Sequence, residues 1–368
     1  MNIANLASQF DVDGFVFSVE PIGNGFVNDT YLAIYRTFFS EERVVIQRIN
    51  TNVFKQPAHI MENMHKVTEH IHTILKKEYP ESDRIWQIPK IIPAKDGKDY
   101  YIDEQGRYWR AITHIASAQS YDKIQNPSHA YEVGAVLGHF HHAIADMDGT
   151  GLYDTLPGFH VTPHYLRELD RVLGTEEGQE HLKSSKVAMN VLKFIEDRRE
   201  WCSVLENAKD RGELKCRVIH GDPRASNIMI DNATGKGTCI IDLDTVKPGL
   251  IHYDIGDCFR SCCNPLGEGA REISKVNFDL DLCAALVDGY KSQAKDTLTE
   301  ADRHYLYDGI RLIAFELSLR FFTDFLAGDV YFKVHEEGQN LLRSRVQMQE
   351  CRCIEASEAA IRRILGKM

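Results

Sequence analysis

The chain has 368 residues, of which 43% are hydrophobic and 26% are charged, as in ordinary globular proteins. Its formal net charge of −11 argues against nucleic acid or an anionic membrane surface as the main partner. No stretch has the roughly 18 apolar residues of a membrane span, and the nine cysteines lack zinc-finger spacing, so we expect a cytoplasmic protein with reduced thiols.

Strand patterns open the chain, and a turn of small residues interrupts them. The strands are predicted at residues 15–21, 28–35 and 43–49. The turn after the first strand consists of Gly23, Asn24 and Gly25. Glycine lets backbone N–H groups approach the phosphates of a nucleotide, which is one interpretation of this turn. A plain β-hairpin with an Asn-Gly turn is the other, and the turn alone does not decide between them.

A long amphipathic helix follows. Apolar residues between positions 57 and 79 recur every three or four residues, which predicts one buried helix face, and Pro80 ends the pattern. Glu62 and Glu69 either reach inward to a strand cation or are solvated surface charges, and we favour the second interpretation. More strands are predicted at residues 88–92, 100–103 and 108–115. Residues 1–115 are therefore predicted to form a small, β-rich N-terminal lobe.

Helical patterns dominate the rest of the chain, so residues 116–368 are predicted to form a larger, mostly helical C-terminal lobe. The helices are predicted at residues 131–144, from 162 onwards, and at 187–205, 253–262, 275–295, 300–327 and 336–365. Residues 174–180 are predicted to be a solvated linker. His139, His141 and His142 lie within four helical positions and do not share one face, so we expect no metal site there.

The residues with the clearest chemistry lie among short strands in the C-terminal lobe. These strands are predicted at residues 215–219, 228–230 (a return strand) and 238–241. His220 and Asp222 follow the first strand, Asn227 precedes the second, and Asp242 follows the third. Two carboxylates and an amide at such spacing, each beside a buried strand, are typical of a site that holds a divalent metal around a phosphate.

Each of these side chains suits a separate part of phosphoryl transfer. Asp222 can accept the proton of an attacking hydroxyl, while Asn227 and Asp242 offer a neutral and an anionic oxygen to Mg²⁺. Arg224 either lies against the transferred phosphate or is a surface arginine. His220 is predicted to brace the loop by hydrogen bonds.

Carboxylates further along the chain are ambiguous. Asp244 either contacts metal, directly or through a neighbour, or caps the following turn. Asp254 and Asp257 lie at the start of a predicted helix, where a structural role against the catalytic loop is the better interpretation.

The pattern H-x-D-x-x-x-x-N, followed by I-D-x-x, resembles the signature of the aminoglycoside phosphotransferase and choline kinase superfamily. His220, Asp222, Asn227 and Asp242 carry this match, and the resemblance covers nearly the whole chain. Within the superfamily the sequence looks like the N-acetylhexosamine 1-kinases. The segments that carry this closer likeness are 20–25, 28–32, 47–51, 120–127, 241–249 and 319–332.

The resemblance implies an α+β, bilobal protein-kinase-like fold that uses ATP and Mg²⁺. It implies transfer of the γ-phosphate to the anomeric hydroxyl of N-acetylglucosamine or N-acetylgalactosamine. It also implies that Asn28 and Gln47, with the glycine turn, bind the nucleotide, and that Arg320 and Tyr331 join Asp222 at the sugar site.

Two departures from the superfamily pattern keep other functions open. Gln47 stands where the general kinase pattern has a strand lysine, and Pro223 and Arg224 replace a more usual lysine-containing segment. One alternative is a kinase of another small hydroxylated metabolite, such as an amino alcohol, another sugar or an aminoglycoside. A catalytically silent nucleotide-binding module is the other. No pattern in the chain indicates an oligomeric state.

Overall fold

The N-terminal region is built on an antiparallel sheet. The computed structural model of the protein describes residues 2–22, 27–79 and 84–368. The strands of this sheet are β1 (Phe15–Pro21), β2 (Asp29–Arg36), β3 (Glu41–Arg48), β4 (Ile91–Ile92), β5 (Tyr101–Ile102) and β6 (Tyr108–Thr113). Within the described residues they form a six-stranded sheet in the order β1-β2-β3-β6-β4, with β5 also paired to β6.

Two helices accompany this sheet: α1 (Ile3–Ala7) and α2 (Pro57–Glu78). The predicted apolar face of α2 is buried, since Ile60, Met64 and Val67 are at most 1% exposed. Glu62 and Glu69 are exposed, which confirms that they are surface charges. The predicted helix stop at Pro80 and the predicted turn at residues 23–25 lie outside the described residues.

Helices make up most of the remaining chain. They are α3 (Pro127–Ala143), α4 (Thr162–Leu173), α5 (Glu176–Ser184), α6 (Lys186–Glu196), α7 (Val204–Asp210), α8 (Ile251–Cys262), α9 (Leu280–Ala294), α10 (Glu300–Leu326), α11 (Gln339–Ala356) and α12 (Glu358–Leu365). Two predicted helices are in fact pairs. The 187–205 pattern divides into α6 and α7, and the 336–365 pattern divides at Ser357 into α11 and α12.

The prediction of a solvated linker at residues 174–180 was wrong, because α5 begins there. Thr175 is its N-cap, and the side-chain oxygen accepts a hydrogen bond from the Gly178 backbone N–H. Glu176 and Glu177 occupy the first turn, where carboxylates interact favourably with the helix dipole. The polar composition therefore reflected a capped helix start and not a loop.

Short strands frame the loop of residues 220–227, which carries the predicted catalytic residues. They are β7 (Ala118–Gln119), β8 (Arg217–Ile219), β9 (Ile228–Asp231), β10 (Gly237–Ile240) and β11 (Lys247–Gly249). The description of residues 228–230 as a return strand for β8 was wrong. Strand β8 pairs with β11, whereas β9 pairs with β10 and β7. The loop between β8 and β9 therefore connects two separate small sheets, and its shape depends on side-chain contacts.

The predicted α+β architecture, with a sheet at the N-terminal end and helices beyond it, is confirmed. Residues of α2 and α3, such as Ile60 and Val133, belong to one continuous hydrophobic core, so apolar packing crosses residue 115. The division into lobes at that residue stays a prediction. Among the described helices, none has the length and apolar character that a transmembrane segment requires.

Candidate active site

The loop after β8 is held at its start by α8. The Asp254 carboxylate accepts hydrogen bonds from the backbone N–H groups of His220 and Gly221, both at 2.7 Å. Asp254 is fully buried, and His141 of α3 contacts it at 2.9 Å. The predicted structural role of Asp254 against the catalytic loop is therefore confirmed.

Two features of the loop backbone require particular residues. Gly221 has a φ of +89°, and a Cβ there would lie 2.8 Å from the carbonyl oxygen of Thr245, so only glycine fits. The ring of His220 donates from Nε2 to the Ile241 carbonyl oxygen at 3.0 Å and accepts at Nδ1 from the Asp222 backbone N–H at 3.2 Å. His220 thus braces the loop against the chain after β10, as predicted.

The side chain of Asp222 lies at the cleft between the sheet and the helices. Its carboxylate pairs with Arg224, whose Nε and Nη2 donate to Oδ1 at 2.9 Å and to Oδ2 at 3.2 Å. Burial raises the pKa of Asp222, and the Arg224 guanidinium opposes that rise. The carboxylate is therefore half-buried and oriented by Arg224, which suits a general base that meets an acceptor in the cleft. Arg224 contacts this base here, and its role towards phosphate stays a prediction.

Asn227 and Asp242 leave free oxygen atoms at the site. The Asn227 amide donates from Nδ2 to the Asp222 carbonyl oxygen at 2.7 Å, so its Oδ1 faces away from that bond. Asp242 has a left-handed φ of +65°, and its side chain makes no hydrogen bond or ion pair within the described chain. Desolvation, together with Asp244 and Asp222, raises the pKa of Asp242 to about 7.

This donor set suits a divalent cation that a nucleotide helps to bind. An unpaired carboxylate and a free amide oxygen are hard oxygen ligands, and Mg²⁺ commonly takes one or two carboxylates plus phosphate oxygens. Among residues 2–22, 27–79 and 84–368, no three His, Cys, Asp or Glu side chains form a ready metal cage. His139 stacks on Trp86, His141 contacts Tyr290 and His142 contacts Glu78, so the three rings face different neighbours.

A buried arginine that the sequence reasoning missed lies beside this site. Arg110 of β6 is 1% exposed and stands opposite Gln47 of β3 in the sheet. Its Nε donates to Gln47 Oε1 at 2.8 Å, and its Nη1 forms an ion pair with Asp244. Arg110 therefore places a positive charge beside Gln47, the residue that stands where the general kinase pattern has a strand lysine. An arginine within the apolar strand pattern of residues 108–113 was the available signal.

The predicted nucleotide-binding side chains are joined to this network. Asn28 donates to Asp244 Oδ2 at 2.7 Å, and its own Oδ1 accepts from the Asn50 backbone N–H at 3.0 Å. Gln47 also donates to Thr30 Oγ1 at 3.1 Å. Asp244 is thus held by Arg110 and Asn28 and does not cap a turn. The nucleotide contacts of Asn28 and Gln47 stay predictions, and those of residues 23–25 lie outside the described residues.

A cavity of about 720 Å³ brings together the residues predicted to hold the acceptor. Asp222, Arg224, Arg320 and Tyr331 all line it, although they come from distant parts of the sequence. Asn227, Asp242 and Gln47 are not among its lining residues.

Helix α10 and the loop after it shape one end of this cavity. The Arg320 guanidinium lies 4.9–5.5 Å from three aromatic rings, those of Phe159, Tyr165 and Phe332. Asp324, one turn further along α10, accepts backbone N–H bonds from Val330, Tyr331 and Phe332 at 2.7–3.0 Å. These bonds fold the loop back towards Arg320, so Tyr331 and Arg320 reach the same space.

The cavity is more basic than acidic, in contrast to the whole chain. Seven basic side chains line it: Arg48, Arg107, Arg224, Arg260, Arg320, Lys333 and Arg343. Five acidic side chains line it: Asp29, Asp222, Asp257, Glu268 and Asp329. Four of these five carboxylates are already ion-paired with Arg48, Arg224 or Arg260, so the cavity offers few free carboxylates to a cation.

Solved structures with a similar fold cover almost the whole chain. An aminoglycoside phosphotransferase from Alicyclobacillus acidocaldarius is 14% identical, with 98% of this chain and 96% of that chain covered and a TM-score of 0.61. An amicoumacin kinase in complex with AMP-PNP, Ca²⁺ and Ami is 12% identical (94% and 92% covered, TM-score 0.60). A microcompartment-associated aminopropanol kinase is 17% identical (98% of each chain covered, TM-score 0.58).

At these identities the likeness shows a shared fold, and it agrees with the predicted kinase-like architecture. The sequence itself matches the model of the APH family, described as the phosphotransferase enzyme family, over residues 18–278. That match includes the sheet from within β1 onwards, the loop between β8 and β9, and α8. The chain belongs to the phosphotransferase enzyme family.

Proposed function

We propose that this protein transfers the γ-phosphate of ATP to the anomeric hydroxyl of an N-acetylhexosamine, either N-acetylglucosamine or N-acetylgalactosamine. The observation that carries the proposal is the shared cavity of Asp222, Arg320 and Tyr331, whose lining leaves few free carboxylates for a cationic acceptor. We also propose a cytoplasmic location. All nine cysteines are free thiols, which the reducing cytosol maintains, and the proposed reaction uses ATP.

In this proposal Asn227 and Asp242 hold Mg²⁺, which would neutralise charge on the nucleotide phosphates when bound. The unpaired state of Asp242 and the free Oδ1 of Asn227 support this assignment. Asn28 and Gln47, with residues 23–25, bind the nucleotide. Arg110 pairs with Asp244, so Asp242 is the neighbouring carboxylate that is left free for the metal.

Asp222 acts as the base towards the acceptor in this proposal. Its carboxylate lines the acceptor cavity, and it takes the proton of the attacking hydroxyl as the bond to phosphorus forms. Arg224 is two residues away and can neutralise charge on the transferred phosphate once Asp222 is protonated. Arg320 and Tyr331 orient the sugar. Positioning and charge neutralisation then account for most of the catalysis, as is usual in phosphoryl transfer.

The charge of the cavity separates this proposal from the other acceptor classes. Amino alcohols and aminoglycosides are cations at neutral pH, and the seven basic lining groups outnumber the five acidic ones. One of the five, Asp222, is reserved for catalysis. Four of the five acidic groups are also ion-paired with arginines, so a cationic acceptor would find few free carboxylates, whereas a neutral N-acetylated sugar needs none.

A panel of acceptors tests the proposal directly. The purified protein with ATP and Mg²⁺ is offered N-acetylglucosamine, N-acetylgalactosamine, glucosamine, ethanolamine and an aminoglycoside, and ADP release is measured. We expect turnover with the N-acetylated sugars and a product that has lost its reducing end. Turnover with ethanolamine or the aminoglycoside, but with no hexosamine, would overturn the substrate assignment.

A further inference from the structure

His160 is a buried histidine beside the acceptor cavity with an unusual backbone conformation. It is 2% exposed, lines the same cavity as Asp222, and has a φ of +65°. Residues other than glycine rarely adopt this left-handed backbone conformation. A residue that does adopt it is held there by its surrounding contacts. No sequence pattern indicated a role for His160.

Both ring nitrogens of His160 face hydrogen-bond acceptors. Nε2 lies 2.7 Å from the carbonyl oxygen of Gly221, and Nδ1 lies 3.0 Å from Oε1 of Glu316. A carbonyl oxygen and a carboxylate both accept, so satisfying both bonds requires a proton on each nitrogen. Burial opposes this charge, but the Glu316 carboxylate outweighs it and raises the pKa of His160.

The two acceptors belong to the two halves of the candidate active site. Gly221 immediately precedes Asp222, the proposed base. Glu316 is on α10, one turn before Arg320, and its Oε1 is 3.9 Å from Arg320 Nη1. The other carboxylate oxygen of Glu316 accepts a bond from Thr162 Oγ1 at 2.7 Å. Glu316 is fully buried, so these contacts fix its position.

We propose that His160, as an imidazolium, is a positioning residue that sets the distance between the catalytic base and the acceptor-binding helix. It touches neither substrate in this proposal. It ties the carbonyl of Gly221 to Glu316, and through Glu316 to Arg320. The proposal rests on the proposed phosphotransferase function of the cavity. A small displacement of a base from its acceptor lowers turnover strongly. Loss of the His160 hydrogen bonds is therefore expected to affect kcat more than nucleotide binding.

Two variants separate positioning from folding. His160→Gln keeps a polar side chain but has one amide group in place of two opposed N–H donors, so it cannot satisfy both acceptors. His252→Gln is the matched control, because it makes the same substitution at a buried histidine that donates to the Asp302 carbonyl oxygen and does not line the cavity. We expect His160→Gln to lower kcat by about 10- to 100-fold, with the KM for ATP within about twofold of the original protein. His252→Gln is expected to change kcat by less than about threefold.

The kcat values of the variants are compared with the acceptor of the panel that the original protein phosphorylates. If the original protein phosphorylates none of them, the rates of slow ATP hydrolysis by water are compared instead. Failure of the sugar assignment is thereby distinguished from failure of the His160 proposal. Equal losses of kcat in both variants, or no loss in His160→Gln, would contradict positioning by His160.

Nitrogen NMR of the original protein gives a readout that does not need a folded variant. We expect one histidine ring to remain doubly protonated at pH 7.5, and His160→Gln, where it folds, to lack that signal. The titratable groups facing this ring are Glu316 on α10 and Asp257 and Tyr253 on α8, with Arg320 beyond Glu316. A ring with a single proton at pH 7 would overturn the proposal.

Discussion

Arg110 and Arg48 show how burial decides the consequence of losing an ion pair. The side chains of Arg110 and Asp244 are 1% and 3% exposed, whereas those of Arg48 and Asp29 are 40% and 48% exposed. Removing one partner of a buried pair leaves an uncompensated charge without water. An exposed pair leaves a charge that water solvates.

Arg110→Met is therefore predicted to lower the free energy of unfolding by about 3–5 kcal/mol, because Asp244 stays buried without its partner. Arg48→Met in the same sheet is the control, with an expected loss of about 1 kcal/mol or less. Urea unfolding followed by circular dichroism measures both. Similar losses in the two variants would mean that the burial of the Arg110 pair does not decide its contribution.

Asp222→Asn tests the proposed base. The amide has nearly the same shape but cannot accept the hydroxyl proton, so we expect turnover to fall by at least about 10²-fold. ATP affinity should change little, since this base acts on the acceptor. Steady-state kinetics and calorimetric ATP binding measure the two quantities. Asp197→Asn, at an exposed carboxylate outside the cavity, is the control.

An unchanged turnover in Asp222→Asn would point to a different base. Unchanged nucleotide binding in both the variant and the original protein, with no turnover in either, would favour the silent nucleotide-binding module.

At the scale of elements, α10 carries Glu316, Arg320 and Asp324 along one helix, and its two ends are stabilised differently. Thr299 and Asp302 form a capping box at its start. Asp324, near its end, organises the loop that carries Tyr331 through three backbone hydrogen bonds. One end thus contributes to helix stability and the other to the acceptor cavity.

Asp324→Ala is predicted to raise the KM for the acceptor about tenfold while the KM for ATP stays unchanged, because the Tyr331 loop loses its three hydrogen bonds. Thr299→Ala at the opposite end of the same helix is the control. It should cost about 1 kcal/mol of stability and leave both KM values unchanged. Steady-state kinetics with each substrate varied in turn, and thermal unfolding of both variants, make the comparison. Equal effects on the two KM values in Asp324→Ala would contradict a local role of this loop.

At the scale of the whole molecule, Glu350 links stability to pH. This fully buried side chain of α11 faces Arg260 and Glu268, and its Oε1 has no hydrogen-bond partner within the described chain. Burial raises the pKa of Glu350 to about 8, and Arg260 opposes the rise. The folded protein therefore retains a proton that the unfolded chain, with a pKa near 4.5, releases.

The stabilisation from this proton is fully present below about pH 4.5 and is lost as the pH rises through about 8. Between these values we expect the original protein to lose stability relative to Glu350→Gln by up to about 1.4 kcal/mol per pH unit. Urea unfolding at pH 5, 6, 7 and 8 measures the difference. Glu337→Gln, at an exposed glutamate, should follow the original protein. Parallel curves for Glu350→Gln and the original protein would show that Glu350 does not titrate in this range.

The amino-acid sequence by itself determined the main strands of the N-terminal sheet, most of the helices, and the placement of His220, Asp222, Asn227 and Asp242 beside short buried strands. Apolar periodicity and fixed spacing are local properties, so a single chain displays them. Errors arose where local composition allowed two structures. The polar residues after Thr175 suited a loop or a capped helix, and the strand at 228–230 had several partners available.

The tertiary structure alone decided how charge is arranged around those residues. Arg110 meets Asp244 across 134 residues of sequence, and His160 meets Gly221 across 61. Neither contact can be predicted from a local pattern. An arginine within an apolar strand signals a special position but does not indicate its partner, and a histidine before a helix is unremarkable. Burial then makes both contacts necessary, since a charge removed from water is stable only beside a partner that the fold brings to it.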